Sequence, residues 1–243
     1  MDARDTLKSW IAESERIVFF GGAGVSTESG LKDFRSADGI YSEQGVYPPE
    51  TILSHRFFMT HTEEFFEFYR DKLLVPGILP NRAHLRLAEL ERKGKLSAVI
   101  TQNIDGLHQA AGSKNVLELH GSVHRNYCTK CGKFFDADYI ASSEGVPHCE
   151  CGGVIKPDVV LYDESLDDEV INATARALRR ADLVIVAGTS LTVYPAAAFL
   201  EFYPGDRLVI INRDPTPQDR RADLVIHGLV GEVLDYACSS DLE

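Results

Sequence analysis

At 243 residues the chain has room for one large α/β domain, or for one domain carrying an insertion, and its 44% hydrophobic content is enough to bury a real core. A formal net charge of −12 argues against a nucleic-acid partner, since gripping phosphates takes clustered Lys and Arg; it favours basic polypeptides as partners, or simply serves solubility. The polar start "MDARDTLKSW" is unlike a secretory leader and no apolar run approaches the ~20 residues of a membrane helix, so a cytoplasmic protein with no membrane partner is expected.

The first expected element is a short apolar strand at 17–20 that runs directly into "GGAGVSTESGLKDFRS". Gly22 and Gly24 meet the first two positions of the G-x-G-x-x-G dinucleotide fingerprint, with Ala23 between them, but Thr27 stands where the third glycine belongs. No acid caps an evident second strand to read a ribose hydroxyl. Backbone N–H groups at a helix start could still cradle a pyrophosphate there. The sequel of Asp33, Phe34 and Arg35 is more than the packed helix of a hydride carrier needs. Residues 37–80 hold no convincing core strand and read as a loop plus helices, one of them at 62–74. A helix at 83–94 then leads to a strand at 98–101 that ends in "TQNIDG". In "LELHG" an apolar strand closes on His120, the one of eight histidines placed at a strand end facing the cleft. A neutral imidazole in that place can take a proton from a hydroxyl near neutral pH.

Next comes "CTKCGKFFDADYIASSEGVPHCECGG", with Cys128 and Cys131 as C-x-x-C, Cys149 and Cys151 as C-x-C, and 17 residues between the pairs. Two knuckles joined by a short β-rich excursion bring four thiolates around one zinc, and Gly132, Gly152 and Gly153 supply permissive turns. Four sulfur ligands close the coordination sphere, so the zinc would be structural. Buried thiols or a redox pair are the alternatives, and His124 and His148 are adjacent substitute ligands.

Beyond this segment a helix is expected at 167–181, a strand at 183–187 ending in "AGTSL", a helix at 194–203, and strands at 208–211, ending in "INRD", and at 224–226. Short strands rich in β-branched residues alternating with helices predict a doubly wound parallel, Rossmann-like α/β sheet with right-handed crossovers. The core comprises 1–36, 81–121 and 158–243; a helical insertion (37–80) and a zinc-binding insertion (122–157) make a smaller zinc-ribbon plus helical lobe. Ligands of such sheets sit beyond the carboxyl ends of the strands, where all four polar loops fall.

The motifs "GAGVSTESGLKDFR" (22–35), "TQNIDGLHQAAG" (101–112), "ELHGS" (118–122), the four cysteines, "KPDVVLYDE" (156–164), "GTSLTVYPAA" (188–197) and "IN" (211–212) occur in one order over nearly the whole chain. In that order they resemble the sirtuin family, the NAD-consuming protein-lysine deacylases. The resemblance implies cleavage of the nicotinamide–ribose bond of NAD, transfer of the acyl group of acetyl-lysine to ADP-ribose, and one structural Zn2+. It implies that Gly22, Ala23, Gly24 and Thr27 line the phosphate and ribose loop, that Asp33 braces it, and that Phe34 shields C1′ from water. Arg35 would touch phosphate or ribose oxygens. Gln102 and Asn103 would organise the ribose and a water, Asn103 sharing the chemistry with His120. Ile104 and Asp105 would receive the nicotinamide carboxamide, although Asp105 could instead cap a strand-end turn. Gly188, Thr189 and Ser190 would serve the adenosine ribose and phosphate, Asn212 a ribose hydroxyl, and Val230 the adenine. Val159, Val160 and Val193 would line a lysine tunnel.

Two departures bear on substrates. Asp163 occupies a position where the family more usually has glycine, and neither Tyr41 nor Tyr47 is followed three residues later by the arginine of the family's succinyl- and malonyl-selective members. Neutral acyl groups on peptide or protein lysines are therefore the expected substrates of an expected monomer. A mono-ADP-ribosyltransferase on the same NAD site is the alternative, and a non-catalytic binding module a third.

Overall fold

A computed structural model of the chain describes residues 2–34, 39–42, 46–192 and 195–239. Nine strands follow one another among them: β1 (Ile17–Gly21), β2 (Leu96–Thr101), β3 (Val116–Glu118), β4 (Gly121–Cys128), β5 (Phe134–Phe135), β6 (Ile155–Val159), β7 (Leu183–Ala187), β8 (Leu208–Asn212) and β9 (Leu224–His227). Six form the large sheet in the order β3-β2-β1-β7-β8-β9, every neighbouring pair parallel. The order runs outward from β1 in both directions, the doubly wound arrangement expected of the sequence. A small antiparallel sheet has the order β5-β4-β6. The helices are α1 (Ala3–Glu13), α2 (Pro49–Ile52), α3 (His55–Thr60), α4 (Thr62–Lys72), α5 (Arg82–Arg92), α6 (Leu107–Ala110), α7 (Ala137–Ser142), α8 (Asp168–Arg180) and α9 (Val230–Cys238).

The unbroken apolar character of the central strands has a direct cause. In β1, Ile17 and Phe19 face the layer of α1, α5 and α9, packing with Leu7, Leu87 and Val233, while Val18 and Phe20 face Leu178 of α8 and Phe199 and Leu200 beyond β7. Both faces of the sheet are covered, so both sets of alternating side chains must be apolar. Helix α8 is delimited by local chemistry: the Asp167 carboxylate accepts from the N–H groups of Glu169 and Val170, and Arg179 and Arg180 occupy the last turn, where the helix dipole favours cations. The helix expected at 194–203 is instead a 3-10 segment, Ala196–Phe202, entered through Pro195. Helix α1, absent from the sequence expectations, buries only Leu7 and Ile11, too sparse an apolar stripe to announce itself.

A third core joins α2, α3 and α4 to the small sheet. Phe57, Phe58, Phe65, Phe66 and Tyr69 pack with Val123, Ile140 and Ile155, and with the buried Cys128 and Cys149. The two segments that interrupt the strand–helix rhythm therefore share one core and stand beside the large sheet as a lobe. The chain enters this lobe at Gly121, whose φ is +75° and whose added Cβ would fall on the Asp158 carbonyl oxygen in β6. Gly121→Ala is expected to cost ~1–2 kcal/mol from the left-handed backbone alone, with the clash in addition. Thermal melting checks this; an unaltered Tm would mean that the β4–β6 register can slide, contrary to the pairing described.

Candidate functional site

The loops at the carboxyl ends of β1, β2, β7 and β8 converge on a cavity of about 560 Å³. From the β1 side it is lined by Gly22, Ala23, Gly24, Thr27, Asp33 and Phe34; from β2 by Gln102, Asn103 and Ile104; from β7 by Gly188, Thr189 and Ser190; from the far rim by Asn212 and Val230. His120, Val159 and Val160 enter from the lobe side. Arg35 and Val193 lie outside the described residues.

Close packing explains the glycines. A Cβ on Gly24 would come within 2.7 Å of Gly188 Cα, and one on Gly22 within 2.8 Å of Thr189 Cβ, so the β1 loop rests directly on the β7 loop. Gly188 itself has φ +60°. The loop continues as two 3-10 turns, Ala23–Val25 and Thr27–Ser29, rather than as the α-helix start expected from the sequence. Its N–H groups are largely used inside the protein: Gly22 donates to Ala187 O (3.1 Å), Gly24 to Gly188 O (2.8 Å), Val25 to Gly22 O (3.0 Å) and Ser26 to Ala23 O (3.0 Å). Ala23 and Thr27 keep the two N–H groups of this stretch that no described acceptor takes. A loop in which glycines leave the backbone bare, with two N–H groups that no described acceptor takes, fits the pyrophosphate of a dinucleotide.

At the end of β2 the polar side chains form one connected set. The Gln102 amide donates to Thr189 Oγ1 (3.1 Å). Buried Asn103 donates from Nδ2 to Ser26 Oγ (3.0 Å), which donates to Asp105 Oδ2 (2.7 Å). Asp105 Oδ1 accepts from the Leu107 N–H (2.9 Å) at the start of α6. Both Asp105 oxygens thus meet donors within the protein, and the bond to Leu107 lies at the start of α6, where the alternative reading put a cap. His120 donates from Nδ1 to the Gln102 carbonyl (2.9 Å), and because a carbonyl only accepts, the neutral ring carries its lone pair on Nε2. Burial lowers the pKa of His120, opposed by that hydrogen bond. The ring is therefore an unprotonated base at neutral pH with its tautomer already selected.

The lobe side of the cavity is apolar and tightly held. Val159, Val160, Leu161 and Leu166 line it together with Leu53 and Leu73 from the helical segment. Tyr41 and Tyr162 share a hydroxyl–hydroxyl hydrogen bond of 2.8 Å, and the ring of Tyr41 meets Phe34 edge-on at 5.5 Å. Beneath them the Glu164 carboxylate accepts from the Leu161 N–H (2.9 Å), Lys156 Nζ (3.1 Å) and His55 Nδ1 (2.8 Å). Burial pushes the Glu164 pKa up, but those donors together carry it below the ordinary value.

In the lobe the Sγ atoms of Cys128, Cys131, Cys149 and Cys151 all lie within 4.8 Å of one another. Sulfurs bound tetrahedrally to Zn2+ at ~2.3 Å would stand about 3.8 Å apart, so the four thiols fit this ion with little rearrangement. His124 and His148 are engaged elsewhere, through Nε2 on Asp105 O (3.0 Å) and Nδ1 on Val146 O (2.7 Å).

Comparison with known proteins agrees with this geometry. The Sir2 family model matches residues 22–195. The chain belongs to the Sir2 family. An NAD-dependent protein deacetylase of Clostridium acetobutylicum is 56% identical to this Sir2-family chain over 239 residues, 97% of the chain and 98% of the relative. One of Cutibacterium acnes is 54% identical, covering 95% of each. Among solved structures, an alanine variant of a Sir2 homologue with ADP-ribose superposes with TM-score 0.89 at 39% identity, over 98% of this chain and 95% of that one. A Sir2 variant with a deacetylated p53 peptide and 3′-O-acetyl-ADP-ribose does so with TM-score 0.88 at 39% identity, over 97% of each. Among the described residues no helix of this Sir2-family chain is long and apolar enough to cross a membrane.

Sequence reasoning had no place for several cavity residues of this Sir2-family site. Leu53 and Leu73 sit at helix ends in a segment read only as helical, and nothing in their spacing sets them apart. Arg213, Asp214 and Pro215 to Pro217 form the far rim beyond β8. The two prolines of "INRDPTPQ" were a usable signal, since they fix an extended loop at a strand's carboxyl end.

Proposed function

We infer that the chain is an NAD-dependent protein deacetylase in which His120 is the base and the 560 Å³ cavity holds both the dinucleotide and an acetyl-lysine side chain. The observation that carries this reading is the His120 ring itself, fixed by the Gln102 carbonyl, facing the cavity and kept neutral by burial. When bound, NAD supplies a breakable nicotinamide–ribose bond and leaves ADP-ribose as the acceptor of the acetyl group.

The residues of this chain hold and orient. The N–H groups of Ala23 and Thr27 point at phosphate oxygens over the glycine cradle of Gly22, Gly24 and Gly188. Thr189 and Ser190 serve the ribose and phosphate next to them, Asn212 a ribose hydroxyl, and Val230 packs at the adenine end. Gln102 and Asn103 flank the second ribose; Asn103, anchored through Ser26 to Asp105, keeps its Oδ1 for a ligand hydroxyl or water. Asp105 acts through that chain as a positioning group, Asp33 braces the loop before Arg35, and Phe34 and Ile104 exclude water from the reacting centre. His120 takes a proton at Nε2 from a hydroxyl of the bound ribose. Val159 and Val160, with Val193, make the channel for the acyl-lysine, and their apolar surface suits neutral acyl groups better than charged ones. The metal group Cys128, Cys131, Cys149 and Cys151 holds one structural zinc. A reducing, cytoplasmic setting suits a group of four unpaired cysteines; the active unit is a monomer, which gel filtration checks.

The test is His120→Ala assayed by mass spectrometry with NAD and an acetyl-lysine peptide. Loss of ~10²–10⁴-fold in free-lysine product is expected, the usual contribution of a positioned base. For the intact chain, the acid limb of the kcat/KM profile should have its midpoint below pH 6.5, because His120 protonates at a lower pH than an exposed histidine. ADP-ribose appearing covalently on protein while the peptide keeps its acetyl mass would overturn the assignment in favour of ADP-ribosyl transfer.

A further inference from the structure

The segment that follows β6 forms the lobe-side wall of the cavity and carries one acid whose place the deacetylase chemistry leaves open. Asp163 lines the cavity and is solvent-exposed, with no hydrogen bond or ion pair to any described residue. Neighbouring charges do not neutralise it. Lys156 and His55 are both committed to Glu164, at 3.1 Å and 2.8 Å. Arg213, on the far rim, lies toward Asp33 at 3.9 Å. The backbone of Asp163 is left-handed, φ +73°, a conformation that glycine adopts freely and aspartate less so. A side chain is therefore present where none would strain the turn less, and it is a carboxylate at the mouth of the apolar channel.

A polypeptide laid across this mouth to deliver its acetyl-lysine would strip water from that carboxylate. Without a cation to meet it the desolvation opposes binding; with one, the pair forms in a partly shielded site where Coulomb attraction is stronger than in bulk water. We propose that Asp163 is a specificity-determining residue that selects acetyl-lysine substrates carrying a Lys or Arg close to the modified lysine. The proposal rests on the deacetylase reading. The chain's net charge of −12 acts in the same direction at longer range, speeding encounters with basic segments.

The experiment uses three acetyl-lysine peptides differing only in the residues flanking the acetyl-lysine, which are Arg, Ala or Glu. Saturating NAD and the full chain are used, with the parent compared with Asp163→Asn, since Asn tolerates the left-handed backbone and removes only the charge. The parent is expected to favour the Arg over the Glu peptide by ~10-fold or more in kcat/KM, mainly through KM, with the ratio shrinking as salt rises. Asp163→Asn should bring the ratio to within about threefold while leaving the Ala peptide's rank between the other two undisturbed. Asp163→Gly provides the same loss of charge with a relaxed backbone and should behave like Asp163→Asn. A ratio near one in the parent, or a ratio unchanged in both variants, would overturn the proposal. Failure of the parent to deacetylate any of the three peptides would strike the deacetylase reading itself, and the proposal with it.

Discussion

Stripping the metal from the four-cysteine group with a strong chelator, or replacing Cys149 by serine, is expected to abolish deacetylation although the metal touches neither ligand. Cys128 and Cys149 are buried in the core that also holds Phe57, Phe66 and Ile155, so the thiols belong to the packing of the lobe rather than to a peripheral clip. The metal group anchors one end of that core. Its sheet is small, with three strands of which one is only two residues long, so the tie that the metal makes between the Cys128 and Cys149 turns holds a large share of it in place. Structural zinc sites contribute about 10–16 kcal/mol in small modules, comparable to the whole stability of a domain. Damage there reaches the cavity through β6, whose end supplies Val159 and Val160. It reaches the large sheet through Arg125, which donates to Glu118 of β3 (2.7 Å) and to Asp158 of β6 (2.7 Å). Activity and thermal melting, followed through chelation and zinc restoration, check this. Full activity in a protein shown to be free of metal would refute a structural dependence on zinc.

The second large effect is loss of stability in mild acid, caused by two histidines that take no part in the reaction. His84 and His108 are buried with ring centroids 4.7 Å apart, and His108 also lies 5.9 Å from Phe19 in the core. Burial lowers His108 to about 3, helped by the neighbouring His84, and lowers His84 to about 4, with Asp105 pulling the other way. In the unfolded chain both titrate near 6.5. Between those values the unfolded chain binds protons that the folded one refuses, so the stability is whole above pH 6.5 and is lost as pH falls. The slope is ~1.4 kcal/mol per pH unit for each histidine, about 4 kcal/mol for the pair by pH 5. His120, lowered by the same cause, adds to the slope. Carboxylates held below their ordinary values, such as Glu89 and Glu164, begin to matter only nearer pH 4.5, so the window from 6.5 to 5 isolates the histidines. Opening would begin near the cofactor loop: the Asn81 N–H donates to His84 Nδ1 (3.2 Å), and the Asn81 amide donates to Val25 O (2.8 Å) and Ser29 Oγ (3.0 Å). Chemical denaturation at several pH values should show the steep decline, and His108→Leu should flatten it by one histidine's share. A parent stability level from pH 7 to pH 5 would contradict it.

The two parts of the molecule differ in how far local information reached. Continuous apolar strands such as 183–187 could be read directly, since a strand covered on both faces leaves no polar alternation, and the parallel order followed from helices between them. The metal group was legible because four thiols at knuckle spacing have few other uses, and the ordered motifs named a family before any contact was known. Turn and periodicity signals are properties of neighbours in the chain. Whether a polar atom is left open to a ligand is not: it depends on partners far away in sequence. Ser26 meets Asp105 79 positions on, and Glu28 accepts from the Gly231 N–H 203 positions on, at the start of α9. For that reason the sequence alone could determine the sheet and the four-thiol group, and could single out His120 as the candidate base. Only the tertiary packing decided that Asp105 is bonded to Ser26 and Leu107, that the glycine loop makes 3-10 turns in which no described acceptor takes the Ala23 and Thr27 N–H groups, and that Leu53 and Leu73 join the cavity lining. It also decided that His84 and His108 are sealed away from water, because burial belongs to the assembled layers and to no single element.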